Sequence, residues 1–213
     1  MAFEDNTTGA SNVAVGYIAL AENTTASYNT AVGNMSLTKN TTGTQNVAMG
    51  HSSLDANTTA SYNTAIGTGA LGENTTGANN TALGWNALNT NTTASHNTAV
   101  GYKALLATVG ADNTAVGLRA GHLITTGFNN VLLGEDAGDT LTEGSKNVCL
   151  GLNVSTSAVD SEYQIVIGYD MNGGEDNQVT IGKASNVIQC EFDTDATWTR
   201  TSDVAMKQDI EDD

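Results

Sequence analysis

The three histidines are the residues of this sequence best suited to acid–base chemistry or zinc binding. His51, His96 and His122 lie far apart along the chain, and no Ser, Asp or Glu stands at the spacing typical of a catalytic triad or a zinc site. We therefore interpret them as surface or interface residues. The sequence predicts no metal site and no enzyme that acts on an external substrate.

An acidic, glycine-rich segment at residues 170–176 has the composition of a calcium-binding loop. An EF-hand ends its loop with a glutamate that binds the ion through both oxygens, but Ile181 stands at that position here. A glycine-rich hairpin turn is the favoured interpretation. Cys149 and Cys190 offer no metal-binding spacing either, so we expect them to stay unpaired and we expect no cofactor.

Most of the chain, including the segments that carry the histidines, consists of a short sequence repeat. A motif, Asn-Thr-Ala-Val-Gly or a close variant, recurs every 17 residues, with one interval a residue shorter. It begins at Asn12, Asn29, Asn46, Asn63, Asn80, Asn97, Asn113, Asn130 and Asn147, and Gln164 keeps the register for one further unit. A short fixed period is typical of a solenoid, whose coils bury their apolar faces only against each other.

Each unit is interpreted as one coil with one β-strand, because the motif is short, rich in Thr and β-branched residues, and ends in glycine. When the first Asn is counted as position one, position four is always apolar and position nine is Leu in the early units. We predict that these two rows form a thin core. Its members are Val15, Val32, Ile66, Leu83 and Val100 at position four, and Leu20, Leu54 and Leu71 at position nine.

Position three is a row of alanines that should point away from position four, because strand side chains alternate between faces. We predict that this row lies at the interface of a homotrimer. Its members are Ala14, Ala31, Ala48, Ala65, Ala82, Ala99 and Ala115. Self-association is expected because only 5% of the residues are aromatic and a solenoid of such composition has a narrow core.

The small residues of the motif have backbone roles. The sequence leaves two interpretations of the repeated Asn open: a ladder of amides hydrogen-bonded from coil to coil, or a turn residue with left-handed dihedral angles. Glycine at position five predicts a corner that needs positive φ or close packing. Units with Thr-Thr-Gly alternate with units with Thr-Thr-Ala-Ser, so we predict that the duplicated unit is two coils long.

The repeated threonines and the aromatic residues are two further sets that could form exposed binding surfaces. Paired threonines follow a second repeated Asn, and their rows could order water, bind ice, or simply suit an exposed strand. Aromatic residues beside the strand either stack on sugars or cover the seam between copies, and we favour the seam. The aromatic residues are Tyr17, Tyr28, Tyr62, Trp85, Tyr102 and Tyr169.

Charge narrows the range of partners. The formal net charge of −16 argues against nucleic acid and anionic membranes, which both need basic surfaces. Only five of the 23 acidic residues lie among the first 100, so the C-terminal part is acidic enough to attract cations. No signal or transmembrane pattern occurs in the sequence, and we expect no membrane insertion.

The repeat unit Asn-Thr-Ala-Val-Gly-x-x-Ala-Leu resembles the repeat of bacteriophage tail-fibre shafts and is similar to the shorter repeat of trimeric autotransporter adhesin heads. The resemblance covers residues 6 to about 168. It implies a trimeric fibre segment that presents a surface to a host receptor or glycan. The implied location is a virion tail fibre, with a bacterial cell surface as the adhesin alternative.

The segment 201–210, Thr-Ser-Asp-Val-Ala-Met-Lys-Gln-Asp-Ile, resembles the start of the intramolecular chaperone of endosialidase-type tailspikes. In that family the chaperone trimerises the fibre and then cuts itself off, which implies a nucleophile at Ser202 and a base at Lys207. A partly desolvated lysine can deprotonate a serine. The family has Arg and Leu where this chain has Ala205 and Met206, so we expect the pair to be inert here.

The sequence thus predicts an all-β solenoid of about ten 17-residue coils that assembles into a trimer. It divides into a repeat shaft at 1–168, an acidic β-rich segment at 169–201 and the start of the chaperone at 202–213. A structural fibre segment is the predicted function. An ice- or carbohydrate-binding repeat module is the alternative from another functional class.

Overall fold

The computed structural model describes residues 1–192 and the backbone of 198–201, and it confirms an all-β solenoid of stacked 17-residue coils. Three-residue strands repeat along the shaft: β1 (Val13–Val15), β2 (Thr30–Val32), β3 (Val47–Met49), β4 (Thr64–Ile66), β5 (Thr81–Leu83), β6 (Thr98–Val100), β7 (Thr114–Val116), β8 (Val131–Leu133) and β9 (Val148–Leu150). They are followed by β10 (Val154–Ser155), β11 (Ile165–Tyr169), β12 (Met171–Asn172), β13 (Gln178–Lys183), β14 (Asn186–Glu191) and β15 (Trp198–Thr201).

Consecutive shaft strands pair in parallel, and every residue lies beside its equivalent in the next coil. Ala48, for example, pairs with Ala65. The shorter interval leaves this register intact, since β6 still pairs with β7 residue by residue. The prediction that Gln164 keeps the register is confirmed, because β11 pairs with β9 in the same way. At about 4.8 Å a coil, ten coils make a ladder about 50 Å long.

Glycine at position five forms one corner of every coil. From Gly16 to Gly151 these residues have φ between +130° and +141°, a region that side chains rarely adopt. A Cβ added to Gly84 would lie 2.3 Å from the carbonyl oxygen of Gly101. Both predicted reasons for glycine, positive φ and close packing, therefore apply at this corner.

The core lies inside a single chain and differs from the predicted one. Leu20, Leu54 and Leu71 are fully buried, which confirms the row at position nine. The predicted interface row of alanines is wrong, because these side chains point into the coil. Ala31, Ala48, Ala65, Ala82, Ala99 and Ala115 are fully buried in this core, and Ala14 packs against it from the first coil.

Position four, predicted to lie in the core, faces outward instead. Val15 is 56% exposed and Leu83 43%, while Val32, Ile66 and Val100 are half-buried. The physical reason is the width of the coil. Leucine at position nine already fills the space opposite the strand, so only a methyl group fits at position three. The bulkier β-branched and long side chains of position four are left on the outer side.

The late coils fill the same space with different residues. Leu132 replaces alanine at position three, and position nine becomes Gly138 in the same coil and Gly121 in the preceding one. A Cβ added to Gly138 would lie 2.8 Å from the nearest methyl group of Leu132. Ile124 and Leu141, both fully buried, stand where the early coils have asparagine. The core volume is thus conserved although its residues are exchanged.

The parallel ladder continues past residue 168. β13 pairs in parallel with β11, so segment 170–177 carries the chain around a last, shorter coil. The predicted hairpin turn there is therefore wrong, and within that segment β12 pairs in parallel with β10. The turn to antiparallel pairing comes later, between β13 and β14, and β15 extends that part of the sheet. Within the described residues, no helix is long and apolar enough to span a membrane.

Candidate functional site

The outer face of the parallel sheet is the most extensive candidate surface. It consists of positions two and four of β1–β9 and β11, and its position-four row is Val15, Val32, Met49, Ile66, Leu83, Val100, Val116, Leu133, Leu150 and Ile167. Position two supplies threonine or a β-branched aliphatic residue throughout. No charged residue stands in either row of these strands, in a chain of net charge −16.

A charge-free strip of this kind is unusual for a surface exposed to water. Exposed apolar residues are normal when scattered, but a continuous apolar patch marks a site of interaction. The strip runs the length of the ladder, which is about 50 Å. Since parallel sheets are normally covered on both sides, the geometry fits a partner that is equally long and flat.

Two ladders of asparagine hold the coils in register beneath this face. At position one, the side-chain oxygen of Asn46 accepts a hydrogen bond from the backbone N–H of Asn63, at 3.0 Å, and the amide of Asn63 donates to the carbonyl of Gly77, at 2.9 Å. At position twelve, Asn57 donates from its side chain to that of Asn40, at 2.8 Å. All these asparagines are buried. Of the two interpretations left open by the sequence, the ladder is the one observed.

The threonine rows differ from each other in what they offer. The first row has its hydroxyls bonded to backbone carbonyls of the next coil: Thr58 donates to the carbonyl of Thr75, and Thr75 to that of Thr92. The second row is exposed and consists of Thr25, Thr42, Thr59, Thr76 and Thr93. Of the two threonine rows, only the second therefore presents free hydroxyl groups to solvent.

Neighbouring early coils form pairs through a serine. In the Thr-Thr-Ala-Ser coils the serine hydroxyl accepts a hydrogen bond from the backbone N–H of the preceding Thr-Thr-Gly coil, as between Ser61 and Thr44, at 2.9 Å. The Ala10–Ser27 and Ala78–Ser95 pairs repeat this contact. Glycine is required in the first coil of a pair, because a Cβ on Gly43 would lie 2.2 Å from the carbonyl oxygen of Ala60.

The aromatic residues line two corners beside the outer face, and all six are exposed. Only Trp85 and Tyr102 stack on each other, with ring centroids 5.0 Å apart and ring planes at 13°. The ammonium group of Lys103 lies 5.2 Å from the centroid of Trp85 and 5.4 Å from that of Tyr102. These three residues form a compact cluster in the middle of the shaft, in which the two rings are exposed and Lys103 is half-buried.

The histidines are not brought together. His51 is exposed, His96 lies 3.6 Å from the carboxylate of exposed Asp112, and a ring nitrogen of His122 lies 3.0 Å from the carbonyl oxygen of Arg119. No group of three or more His, Cys, Asp or Glu side chains in the described part of the chain could hold a metal ion.

Comparisons with protein-family models, curated proteins and solved structures returned no match. Ser202 and Lys207 lie outside the described residues.

The two cysteines are free and buried. Desolvation raises the pKa of the Cys149 thiol to about 12, from the value of 9.0 that a solvated thiol has, and nearby Asp139 adds to the shift. An acid whose pKa is raised by folding stabilises the fold fully below its unfolded pKa. We therefore expect that this contribution declines as the pH rises from 9.0 towards about 12.

Alkylation measures directly how far burial protects the Cys149 thiol from reaction. At about pH 8 we expect iodoacetamide to leave Cys149 unmodified in the folded protein and to modify it after denaturation, because the thiolate is the reactive form. Peptide mass analysis gives the extent of labelling. Labelling of Cys149 at equal rates in the folded and denatured protein would contradict its burial.

Proposed function

We propose that this chain is a structural segment of a phage-type tail fibre, in which several copies associate along the outer face and form a stiff rod in the virion. The observation that supports this most directly is the charge-free strip along the whole parallel sheet, with its unbroken apolar row at position four. A single chain leaves this strip exposed to water, and a second copy offers a surface of the same length, chemistry and flatness.

The proposed stoichiometry is a homotrimer. Three copies can bring three flat outer faces together around one axis, which covers each of them without leaving a free strip. The resemblance of the repeat to tail-fibre shafts and adhesin heads supports three copies over two. The interface thus differs from the predicted one, since position four takes the place of the alanine row. The opposite sides of the coil remain free to contact a host receptor.

The experiment is to place a charge in the middle of the strip. Replacing Ile66 with Glu should abolish assembly, since the threefold axis would bring three buried carboxylates together without partners. The fold of each chain should persist, because Ile66 is only half-buried, with a cost of about 1 kcal/mol or less from strand propensity. Sedimentation velocity gives the assembly state and circular dichroism the fold.

Thr59→Glu is the matched control, since Thr59 is exposed in a neighbouring coil but lies away from the outer face. It should assemble like the parent chain. A parent chain that sediments as a monomer of 21.9 kDa at all concentrations would refute self-association. An Ile66→Glu variant that assembles normally would refute the proposed interface.

The same architecture would serve the head of a trimeric bacterial adhesin at the cell surface. The coding sequence on either side of this segment distinguishes the two, because an adhesin requires a membrane anchor and a tail fibre a chaperone. Ice binding is a further candidate from a different class, which the regular exposed row from Thr25 to Thr93 favours. Thermal hysteresis at micromolar protein would support it, and its absence would exclude it.

A further inference from the structure

The stacked pair Trp85 and Tyr102 leaves one aromatic face free. Position six of successive coils is Thr68, Trp85 and Tyr102, in register through backbone bonds of 3.0 Å from Asn86 to Thr68 and 2.9 Å from Lys103 to Trp85. Tyr102 covers one face of the indole, with the rings at 13°. The other face is turned towards the coil of Thr68, where position six carries only a small side chain.

The side chain of Asn86 borders this space, because it packs over the residue that follows Thr68. Gly69 follows Thr68, with φ +68°, and a Cβ there would lie 2.2 Å from the side-chain oxygen of Asn86. The coil below the indole therefore presents Thr68, and the side-chain amide of Asn86 lies over Gly69. We call the resulting space the Trp85 notch. It is bounded by the free face of Trp85, Thr68, Gly69 and Asn86.

Two polar groups around the notch have no hydrogen-bond partner in the described part of the chain, and there the Lys103 ammonium contacts only the faces of the two stacked rings. The hydroxyl of Thr68 and the side-chain amide of Asn86 form no hydrogen bond within the described residues, and Lys103 forms no ion pair there. The notch thus combines an aromatic face with a hydroxyl, an amide and an ammonium group. By contrast, the exposed cation of Arg119 in the next coil is paired with Asp136, which raises the pKa of its guanidinium.

We infer that the Trp85 notch binds a saccharide residue, with preference for a sugar that carries a carboxylate. The C–H face of a pyranose ring carries partial positive charge and packs on the negative face of an indole. Hydroxyl and amide groups at the rim can exchange hydrogen bonds with sugar hydroxyls. The ammonium group of Lys103 lies beside the stacked rings, 5.2 Å from the centroid of Trp85 and 5.4 Å from that of Tyr102, and attracts the carboxylate. The inference does not depend on the fibre function, since the notch belongs to a single chain.

The test uses tryptophan fluorescence with a matched pair of ligands. Trp198→Phe leaves Trp85 as the sole tryptophan in the 213 residues. The probes are trigalacturonic acid and its fully methyl-esterified form, which has the same rings without the charge. We expect saturable quenching by the acid, with affinity about two- to fivefold weaker for the ester, the usual contribution of an exposed ion pair.

Calorimetry with variants then assigns the contacts. Trp85→Ala should weaken binding of the acid by about tenfold or more, as expected for loss of an aromatic stacking partner. Lys103→Gln should remove the preference for the acid over the ester and leave binding of the ester unchanged. Tyr62→Ala is the matched control, because Tyr62 is an exposed aromatic residue at another corner of the coil. It should bind like the parent.

Three results would overturn the inference. One is quenching that never saturates or does not occur. Another is equal binding by the Trp85→Ala variant and the parent, when circular dichroism shows both to be folded. The third is protection of Trp85 from iodide and acrylamide in the assembled protein, which would mean that a second copy covers the notch. That outcome would leave the proposed self-association intact, so the two proposals fail separately.

Discussion

Replacing Gly84 with alanine should destabilise the shaft by about 3 kcal/mol or more. The backbone there has φ +135°, and the added Cβ would lie 2.3 Å from the carbonyl oxygen and 2.7 Å from the carbonyl carbon of Gly101. Neither neighbour can move away, because both belong to the backbone of the next coil. Thermal and urea unfolding followed by circular dichroism measure the loss.

Gly72→Ala is the control for this prediction. Its added Cβ would approach the side-chain amide of Asn89, at 2.8 Å, which is the end of a flexible side chain that can move at the expense of one hydrogen bond to the carbonyl of Gly69. Other coils carry Ala21 or Thr38 at the same position. We expect a change within about 1 kcal/mol, with a stabilising contribution from the less flexible unfolded chain. Similar melting of the two variants would show that the corner at position five tolerates side chains.

The second large effect on stability is expected when the side-chain volume of Leu132 is moved to Gly138. Leu132→Ala should cost about 2–5 kcal/mol, because it removes a fully buried side chain and leaves a cavity. Gly138→Leu alone should also destabilise, since its Cβ would meet Leu132 at 2.8 Å. The double variant recreates the alanine and leucine arrangement of the early coils. It should therefore be more stable than the sum of the two single effects predicts.

A double-mutant cycle in urea measures this coupling. We expect an interaction energy of about 1–3 kcal/mol in the stabilising direction, the range for residues that share a cavity. The control pair is Leu132→Ala with Thr59→Glu, whose effects should add because Thr59 is exposed in a distant coil. Strict additivity for Leu132 and Gly138 would mean that the two side chains do not compete for the same space.

The solenoid could be predicted from the sequence because period alone determines it. An interval of 17 residues fixes which residues lie beside each other in the stack, whatever the shape of one coil. The orientation of the strand was harder. Hydrophobicity places the large side chains of position four inside, yet the coil is too narrow for them. Position three is alanine in seven coils, whereas position four varies among Val, Met, Ile and Leu. The constant alanine at position three, beside the variable position four, indicates that position three is the tightly packed one.

The candidate surfaces were predictable only in part. The aromatic residues and threonine rows could be identified from their spacing, but two facts depend on the folded structure. One is that the hydroxyl of Thr58 is bonded to the backbone while that of Thr59 is free. The other is that Trp85 and Tyr102 stack while Trp85 keeps 43% of its surface exposed. Contacts of this kind depend on the corner geometry, which the residue types alone do not specify.

The serine contact between paired coils has a consequence for how such a rod can grow. Insertion of one coil would place two coils of the same kind together, and a backbone N–H like that of Thr44 would lose the hydroxyl that Ser61 provides. Insertion of a pair restores every contact and lengthens the rod by about 10 Å. Unequal recombination between the early repeats therefore preserves every serine contact only when it adds or removes coils in pairs, so the length of this part of the rod changes in steps of about 10 Å.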